Sequence, residues 1–592
     1  MKKESVVIAG VTVVLVIWQV LLAFQGLDLA DTGFHLTAYR YILEAPGSVQ
    51  YSMSFWLSEI TGHLWMQVWP QGGLFWARIG GIVAFTATFL IYFRLLQPVT
   101  GQRKALAGLA IASLFILRGG FECLHYDLLS MAGYAVVAWW WVTGLRRGRS
   151  LLILLGGIAL GVNLFFKLTN MAGLLFFALI PFHGIIHRKP GSDWLKTLLI
   201  GFSGFIAGAG MILLLIRALG HWDLYTGNLA FMTEIAADAE ASHGLIPLLG
   251  DYLSGYFNAV IILALFSGAV WGFVRLTRHT WVGTRNLTYL VVFALLGSAT
   301  LVLMLFFREA FWSKVRYLLL GLAALHGIRQ LTDTRKDHAP RLVAAAGLIL
   351  LLVAPLGSDS WPAKSLHGMW ILVPMALVTP DLKSWFGRVK EDTLVAQEKV
   401  IRGGVITLVV VSALVHAWQY TYFDAGSRAL KRYTVEHPQL RFIHTSKARA
   451  RVMNELISEA FPLMDQRYLL GFIEIPMINY LADMEPYLST SWPKLYYSPD
   501  SFTRKLQEAL ARRDALPAIV RQKQPTNIHP WPEAKPHPDY LDYPGDLSRW
   551  PGHGRVMNRF IGDFEYEVVW ENEMFQLLLP GVKSPDLTWS PS

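Results

Sequence analysis

Long unbroken apolar runs dominate this chain, and the polar residues between them fall into short clusters. The first run covers residues 5–24, about 20 residues, enough to cross a bilayer as a helix. Further runs lie at 74–93, 105–120, 128–145, 151–166, 168–186, 197–219, 257–274, 287–307, 316–331, 342–357, 367–380 and 404–422. They predict an α-helical polytopic membrane protein with about 13 transmembrane helices. Beyond these runs the pattern shortens and mixes, and no later stretch reaches spanning length. The expected division is a membrane domain over 1–422, with outer loops 25–73 and 220–256, and a small soluble α/β domain over 423–592. In the latter, 447–461 and 501–512 read as amphipathic helices, 467–475 and 517–520 as buried strands, and 564–580 as a terminal hairpin. The Pro-, His- and Trp-rich stretch 524–554 reads as a long loop.

Composition supports the membrane assignment. The chain has 592 residues, 54% apolar and only 16% charged, where soluble domains carry about a quarter charged residues. One cysteine, Cys123, excludes a disulfide framework and a cysteine-based zinc site. Lys2 and Lys3 precede the first run as in a signal peptide. That run is too long, however, and no small-residue cleavage site follows it, so it reads as a retained anchor.

The net charge of +10 needs no nucleic-acid partner, because its distribution follows topology. With the N-terminus cytoplasmic, the inner loops collect about three times as many Lys and Arg as the short outer loops. An odd number of spans then places the C-terminal domain on the extracytoplasmic side, as for a protein of a bacterial inner membrane.

The polar clusters assigned to the outer side carry the candidate chemistry. Asp28, Asp31, His35, Tyr39 and Arg40 follow the first span directly. If Asp31 opens a helix, His35 and Tyr39 lie on its face one and two turns later. Arg118, Glu122, His125 and Asp127 crowd the turn before the fourth span. Lys167 interrupts an apolar stretch, and Arg308, Lys314 and Arg316 occupy one further turn. Asp359, Lys364 and His367 lie in the next outer loop. Each cluster has a structural alternative: an Asp can cap a helix, and a basic residue at a span end can snorkel to the headgroups. Against those alternatives stands the side, since short outer loops disfavour basic residues. The outer loop 220–256 contains the acidic helical stretch 234–240, a candidate cover for an acceptor.

These features resemble the GT-C superfamily of membrane glycosyltransferases, which use polyprenyl-phosphate-linked sugars, nearest the aminoarabinose transferase and protein O-mannosyltransferase group. The resemblance rests on Asp31-Thr32-Gly33-Phe34-His35 directly after span one, His125-Tyr126-Asp127-Leu128-Leu129, the Gly-rich span ending at Lys167, and the outer C-terminal domain. It implies a catalytic acidic residue at Asp31. Thr32 departs from the second acidic position of the family pattern, and Asp28 is the candidate for the missing carboxylate.

The expected reaction moves a hexosyl or pentosyl group to an acceptor hydroxyl on a lipid, glycan or protein. Asp31 serves as base, with Asp28 and His35 in support. Arg308, Lys314, Arg316 and Lys167 receive the departing lipid phosphate. Glu122, His125, Asp127, Tyr39 and Arg40 form the substrate-binding set. A Mg or Mn ion bridging Asp28, Asp31 or Asp127, with Asp31 and Asp127 the first candidates, fits the preference of hard cations for oxygen, although a monophosphate donor among cations does not require one. The competing readings are an O-antigen ligase or polymerase, a lipid or sugar transporter, and a non-catalytic scaffold. The first lacks the acidic stretch after span one, the second expects buried mid-span charges and repeats, and the third leaves the charge asymmetry unexplained.

Overall fold

The computed structural model describes residues 2–117, 123–237, 244–276, 285–334, 337–356, 364–378, 391–496, 498–527, 531, 552–581 and 589. The membrane part is a helical bundle. Helix α1 (Lys2–Ala23) is followed by α2 (Asp31–Tyr41), a 3₁₀ segment Pro46–Phe55, α3 (Trp56–Val68) and α4 (Gly73–Thr100). Then come α5 (Gln102–Ile116), α6 (Tyr126–Arg147), α7 (Ser150–Asn163), α8 (Leu179–Ile186) and α9 (Gly191–Ala218). Helix α10 (Trp222–Ala237) leads to α11 (Leu245–Leu276), α12 (Arg285–Thr332) and α13 (His338–Val353). A short helix Leu372–Val378 and a last long helix Glu391–Gln419 complete the bundle.

Every apolar run of the sequence is helical in part, but the count of thirteen spans is not reproduced. Among the described residues, eight helices are long and apolar enough to cross a membrane. Helices α7 and α13 are apolar but short, and α5, at 15 residues, spans about 22 Å where the hydrocarbon core needs about 30 Å. Apolarity alone did not separate these elements from full spans, because a helix buried by its neighbours is as apolar as one facing lipid.

The runs 287–307 and 316–331 form one continuous element, α12, broken by non-helical backbone at Phe307. Its two halves run oppositely along the last helix. A side chain at Gly403 would meet Phe293, and Gly297 approaches Thr407. After the break, Trp312 stacks on His416 at 4.2 Å. The bend therefore puts Arg308 at the end of the bundle where the last helix stops, with its Nη1 donating to the Gln419 carbonyl at 3.2 Å.

Helices α7 and α9 pack backbone to backbone. A Cβ at Gly157 would lie 2.1 Å from the Gly201 carbonyl, and one at Gly204 2.2 Å from that of Leu154, the small-residue packing typical of helices in lipid.

Beyond the last helix the chain forms a five-stranded sheet in the order β4-β3-β5-β7-β6. Its members are β3 (Tyr468–Phe472), β4 (Glu485–Pro486), β5 (Ala518–Gln522), β6 (Tyr566–Glu571) and β7 (Phe575–Pro580); β1 (Tyr433–Thr434) and β2 (His444–Thr445) pair separately. Strand β3 is parallel to β4 and β5, and β7 is antiparallel to β5 and β6. The expected strands and hairpin are present, as is the second helix, Pro499–Arg512. The first, Lys447–Glu455, passes into irregular helical turns. Most of 524–554 lies outside the described residues.

Strand alternation gives this sheet two buried faces. Leu470, Ile519 and Leu578 pack with Phe502 and Phe560. Leu469, Val520 and Leu577 instead join Leu27, Leu29 and Leu36 from the loop after span one. Helix α2 is thus built into the core of the C-terminal domain. Its closest approach is at Gly33, where a Cβ would lie 2.2 Å from the Met477 backbone nitrogen. Thr37 Oγ1 donates to the Pro476 carbonyl at 3.0 Å, and Met477 N donates to the Leu29 carbonyl at 2.9 Å.

Candidate active site

The chain leaves α1 at Ala23 and is then held by buried charge. Arg78 donates to the carbonyls of Ala23 and Gly26, each at 2.7 Å. Arg449 donates to the Leu27 carbonyl at 2.6 Å. Asp424 accepts from Leu27 N at 2.9 Å and faces Lys431 and Arg449. These contacts fix the entry to α2. Asp28 caps it, its Oδ1 accepting from Ala30 N at 2.8 Å and Oδ2 from Thr32 N at 2.7 Å. Both oxygens serve the helix start, so Asp28 is a positioning group. Burial, reinforced by the negative charge of Asp31, pushes its carboxyl up to about 7, against the backbone donors that lower it.

Asp31 occupies the first turn of α2 and is half-buried. The Tyr422 hydroxyl donates to its Oδ2. Tyr422 follows the last bundle helix by three residues, and Tyr420, in the same segment, lies under the Arg308 guanidinium at 5.8 Å. A short connecting segment therefore ties Asp31 to the bend of α12. Within that bend Arg316 is buried and donates to Ser313 Oγ at 3.0 Å, while Lys314 is exposed.

One turn along α2, His35 is buried, and its Nδ1 lies 2.8 Å from Glu59 Oε1. Glu59 is fully buried on α3, and desolvation raises its carboxyl while His35 lowers it. The His35 ring lies 5.9 Å from that of His125 and 5.4 Å from that of Tyr126. His125 Nδ1 accepts from Asp127 N at 3.3 Å. Asp127 in turn faces two ammonium groups, Lys167 at 3.2 Å and Lys364 at 2.5 Å, both near the face of Tyr126. Burial lowers the Lys167 ammonium and Asp127 opposes that shift. A line of polar groups thus runs from His35, one turn along α2 from Asp31, through His125 to the Asp127 triad.

Several expected roles change on these contacts. Tyr39 is buried with its hydroxyl donating to the Leu124 carbonyl and its own carbonyl 2.6 Å from His63 Nδ1. These contacts brace α2. Arg40 is exposed and pairs with Asp483 of the C-terminal domain at 2.8 Å. Lys167 is committed to Asp127, which makes it part of a triad and not an independent phosphate cation. Glu122 lies outside the described residues. The bridging ion between Asp31 and Asp127 does not fit, because both oxygens of Asp127 face ammonium groups. Among the described residues no group of three or more His, Cys, Asp or Glu is arranged to hold a metal.

The sequence pattern missed Glu59, Tyr422 and the pairing role of Lys364. Glu59 had a usable signal, a carboxylate inside the apolar stretch 56–68. Tyr422 had none, being one tyrosine among 22. Its position opposite Asp31 depends on contacts nearly 400 residues apart in sequence.

No protein-family model matches the chain, and no curated protein is similar to it in sequence. The structure is similar to the crystal structure of ArnT from Cupriavidus metallidurans bound to undecaprenyl phosphate, with a TM-score of 0.50, 10% identity and 97% of each chain covered. The apo form of that protein matches with a TM-score of 0.49, 10% identity and 98% coverage of each chain. The oligosaccharyltransferase of Archaeoglobus fulgidus in complex with Zn and sulfate is also similar. Its TM-score is 0.43 at 10% identity, with 84% of this chain and 64% of that chain covered. The likeness to the undecaprenyl-phosphate-bound ArnT is one of fold, extending over nearly the whole of both chains.

Proposed function

We propose that this protein is a membrane glycosyltransferase that moves a sugar from a polyprenyl phosphate to an acceptor hydroxyl. The observation that carries the reading is Asp31 itself, a half-buried carboxylate on the first turn of α2, oriented by Tyr422 from the segment whose Tyr420 meets Arg308. The ArnT fold, with its lipid-phosphate ligand in the solved complex, supports the choice of donor.

In this mechanism Asp31 takes the proton of the acceptor hydroxyl as its oxygen attacks the anomeric carbon. The bond from that carbon to the phosphate oxygen breaks, and the phosphate leaves with the electron pair. Arg308 and Arg316, at the bend of α12, face the charge that grows on it, with Lys314 at the rim. The Lys167–Asp127–Lys364 triad sets two ammonium groups against one carboxylate and supplies a positive field from the opposite side. A single displacement inverts the anomeric configuration. His35, held by Glu59, lies along the path between Asp31 and the triad and contacts the acceptor or sugar. The site faces the extracytoplasmic side of a bacterial inner membrane, with the N-terminus cytoplasmic.

The test is transfer from a panel of polyprenyl-phosphate sugars in membranes that contain the protein. Asp31→Asn is expected to lower turnover by about 10²–10⁴ fold while the protein stays folded. Near-normal turnover in that variant, or failure of every polyprenyl-phosphate donor, rejects the reading. A reporter fused after Ser592 that reads cytoplasmic rejects the assigned side.

A further inference from the structure

At the far end of the bundle from Asp31, a groove opens between α11, the returning half of α12, Leu372–Val378 and the last helix. Its walls are apolar, with Val270, Leu322 and Leu377 among them, and His326, Arg329 and Arg402 line it as well. Every charged residue among the described lining residues is basic. Both arginines are half-buried.

Helix geometry fixes the depth of this groove. Arg329 lies about 31 Å along α12 from Arg308, close to the roughly 30 Å thickness of a bilayer core. Arg402 is about 26 Å back along the last helix from Gln419. The two cations therefore sit at the membrane interface opposite the Asp31 site. A donor lipid with its phosphate beside Arg308 cannot place that same phosphate here.

An apolar slot with guanidiniums at one end is complementary to an amphiphile with an anionic head. Arg presents paired donors suited to phosphate, and basic pockets between spans on the cytoplasmic side recognise anionic headgroups. We infer that this groove holds an anionic phospholipid of the leaflet opposite the C-terminal domain, one acyl chain lying in the slot and the phosphate on Arg329 and Arg402. The site is separate from the reaction centre and does not depend on which sugar is transferred.

The test uses the full chain purified in detergent and titrated by native mass spectrometry with phosphatidylglycerol, and in parallel with phosphatidylcholine of the same acyl chains. Phosphatidylglycerol is expected to bind in preference. The double substitution Arg329→Gln, Arg402→Gln should weaken it roughly thirtyfold, from the typical contribution of two basic residues near a charged headgroup. Phosphatidylcholine binding should not change, and Arg329→Lys with Arg402→Lys should restore most of the preference. Equal retention of the two lipids, or unchanged phosphatidylglycerol affinity in the folded Gln variant, overturns the inference. So does displacement of phosphatidylglycerol by polyprenyl phosphate, which would give the groove to the donor lipid. If the Gln variant does not fold, Leu322→Trp fills the slot and must lower phosphatidylglycerol binding; wild-type affinity in that variant rejects the site.

Discussion

Asp31 and Asp127 are two carboxylates in similar sequence settings, each beside a span and each near a histidine. The structure treats them oppositely. Asp127 is buried and faces Lys167 and Lys364. Asp31 is half-buried and accepts a hydroxyl from Tyr422. A carboxylate held between two ammonium groups in a desolvated site is stabilised as an anion and is a poor proton acceptor. Asp31 is met by a neutral phenol and stays half-open to its surroundings. Density of charge in a loop is therefore not enough to mark a catalytic group; what each charge is paired with decides.

The largest separation between the two should come from activity against stability. Asp31→Asn is expected to abolish most transfer with little change in thermal midpoint. Asp127→Ala is expected to cost about 3–5 kcal/mol of stability, because two ammonium groups are left facing each other without their counter-ion. Thermal unfolding in detergent measures this, and adding Lys364→Met should recover part of the loss. If Asp127→Ala leaves the midpoint unchanged and only slows transfer, the contrast drawn here is wrong.

Next in size is Gly33→Ala, which adds a methyl group where the Met477 backbone leaves no room. A destabilisation of about 1–3 kcal/mol, with α2 prised from the C-terminal domain, should appear as a lower midpoint and faster proteolysis of that domain. A neutral result would show that α2 is not anchored there.

Asp28 offers a pH-dependent contrast. Its folded pKa of about 7 lies above the usual carboxylate value, so the folded state holds a proton that the unfolded chain has already released. Its contribution to stability is complete below about pH 4 and is lost as pH rises through about 7. The midpoint should fall across that window, and Asp28→Asn should flatten the slope; an unchanged slope assigns the dependence elsewhere. The smallest effect is expected for Arg40→Ala, less than about 1 kcal/mol, because its pair with Asp483 is exposed on both sides. A large loss of activity in that variant would return Arg40 to the substrate-binding set.

Much of the membrane part was legible because lipid imposes a simple rule: backbone groups must pair within the segment and side chains must be apolar. That rule made the runs visible, located the polar clusters between them and placed Asp31 directly after the first helix. It also separated 287–307 from 316–331, where α12 is broken at Phe307, but it could not distinguish a spanning helix from a buried short one such as α5, because that depends on neighbours. In the C-terminal part, the short apolar run within 467–475 and the alternation over 564–580 announced strands. They did not announce that one face of the sheet is completed by Leu27, Leu29 and Leu36.

The same division runs through the site. Local sequence determined that Asp31 opens a helix, that His35 follows one turn later, and that cations gather in the connecting loops, since these follow from helical periodicity and from the cost of charge in hydrocarbon. Only the tertiary structure decided which charges are spent. It set Tyr422 against Asp31, Glu59 against His35 and two lysines against Asp127. The physical reason is that desolvation and pairing are properties of the assembled environment, and their partners come from segments far apart in the chain.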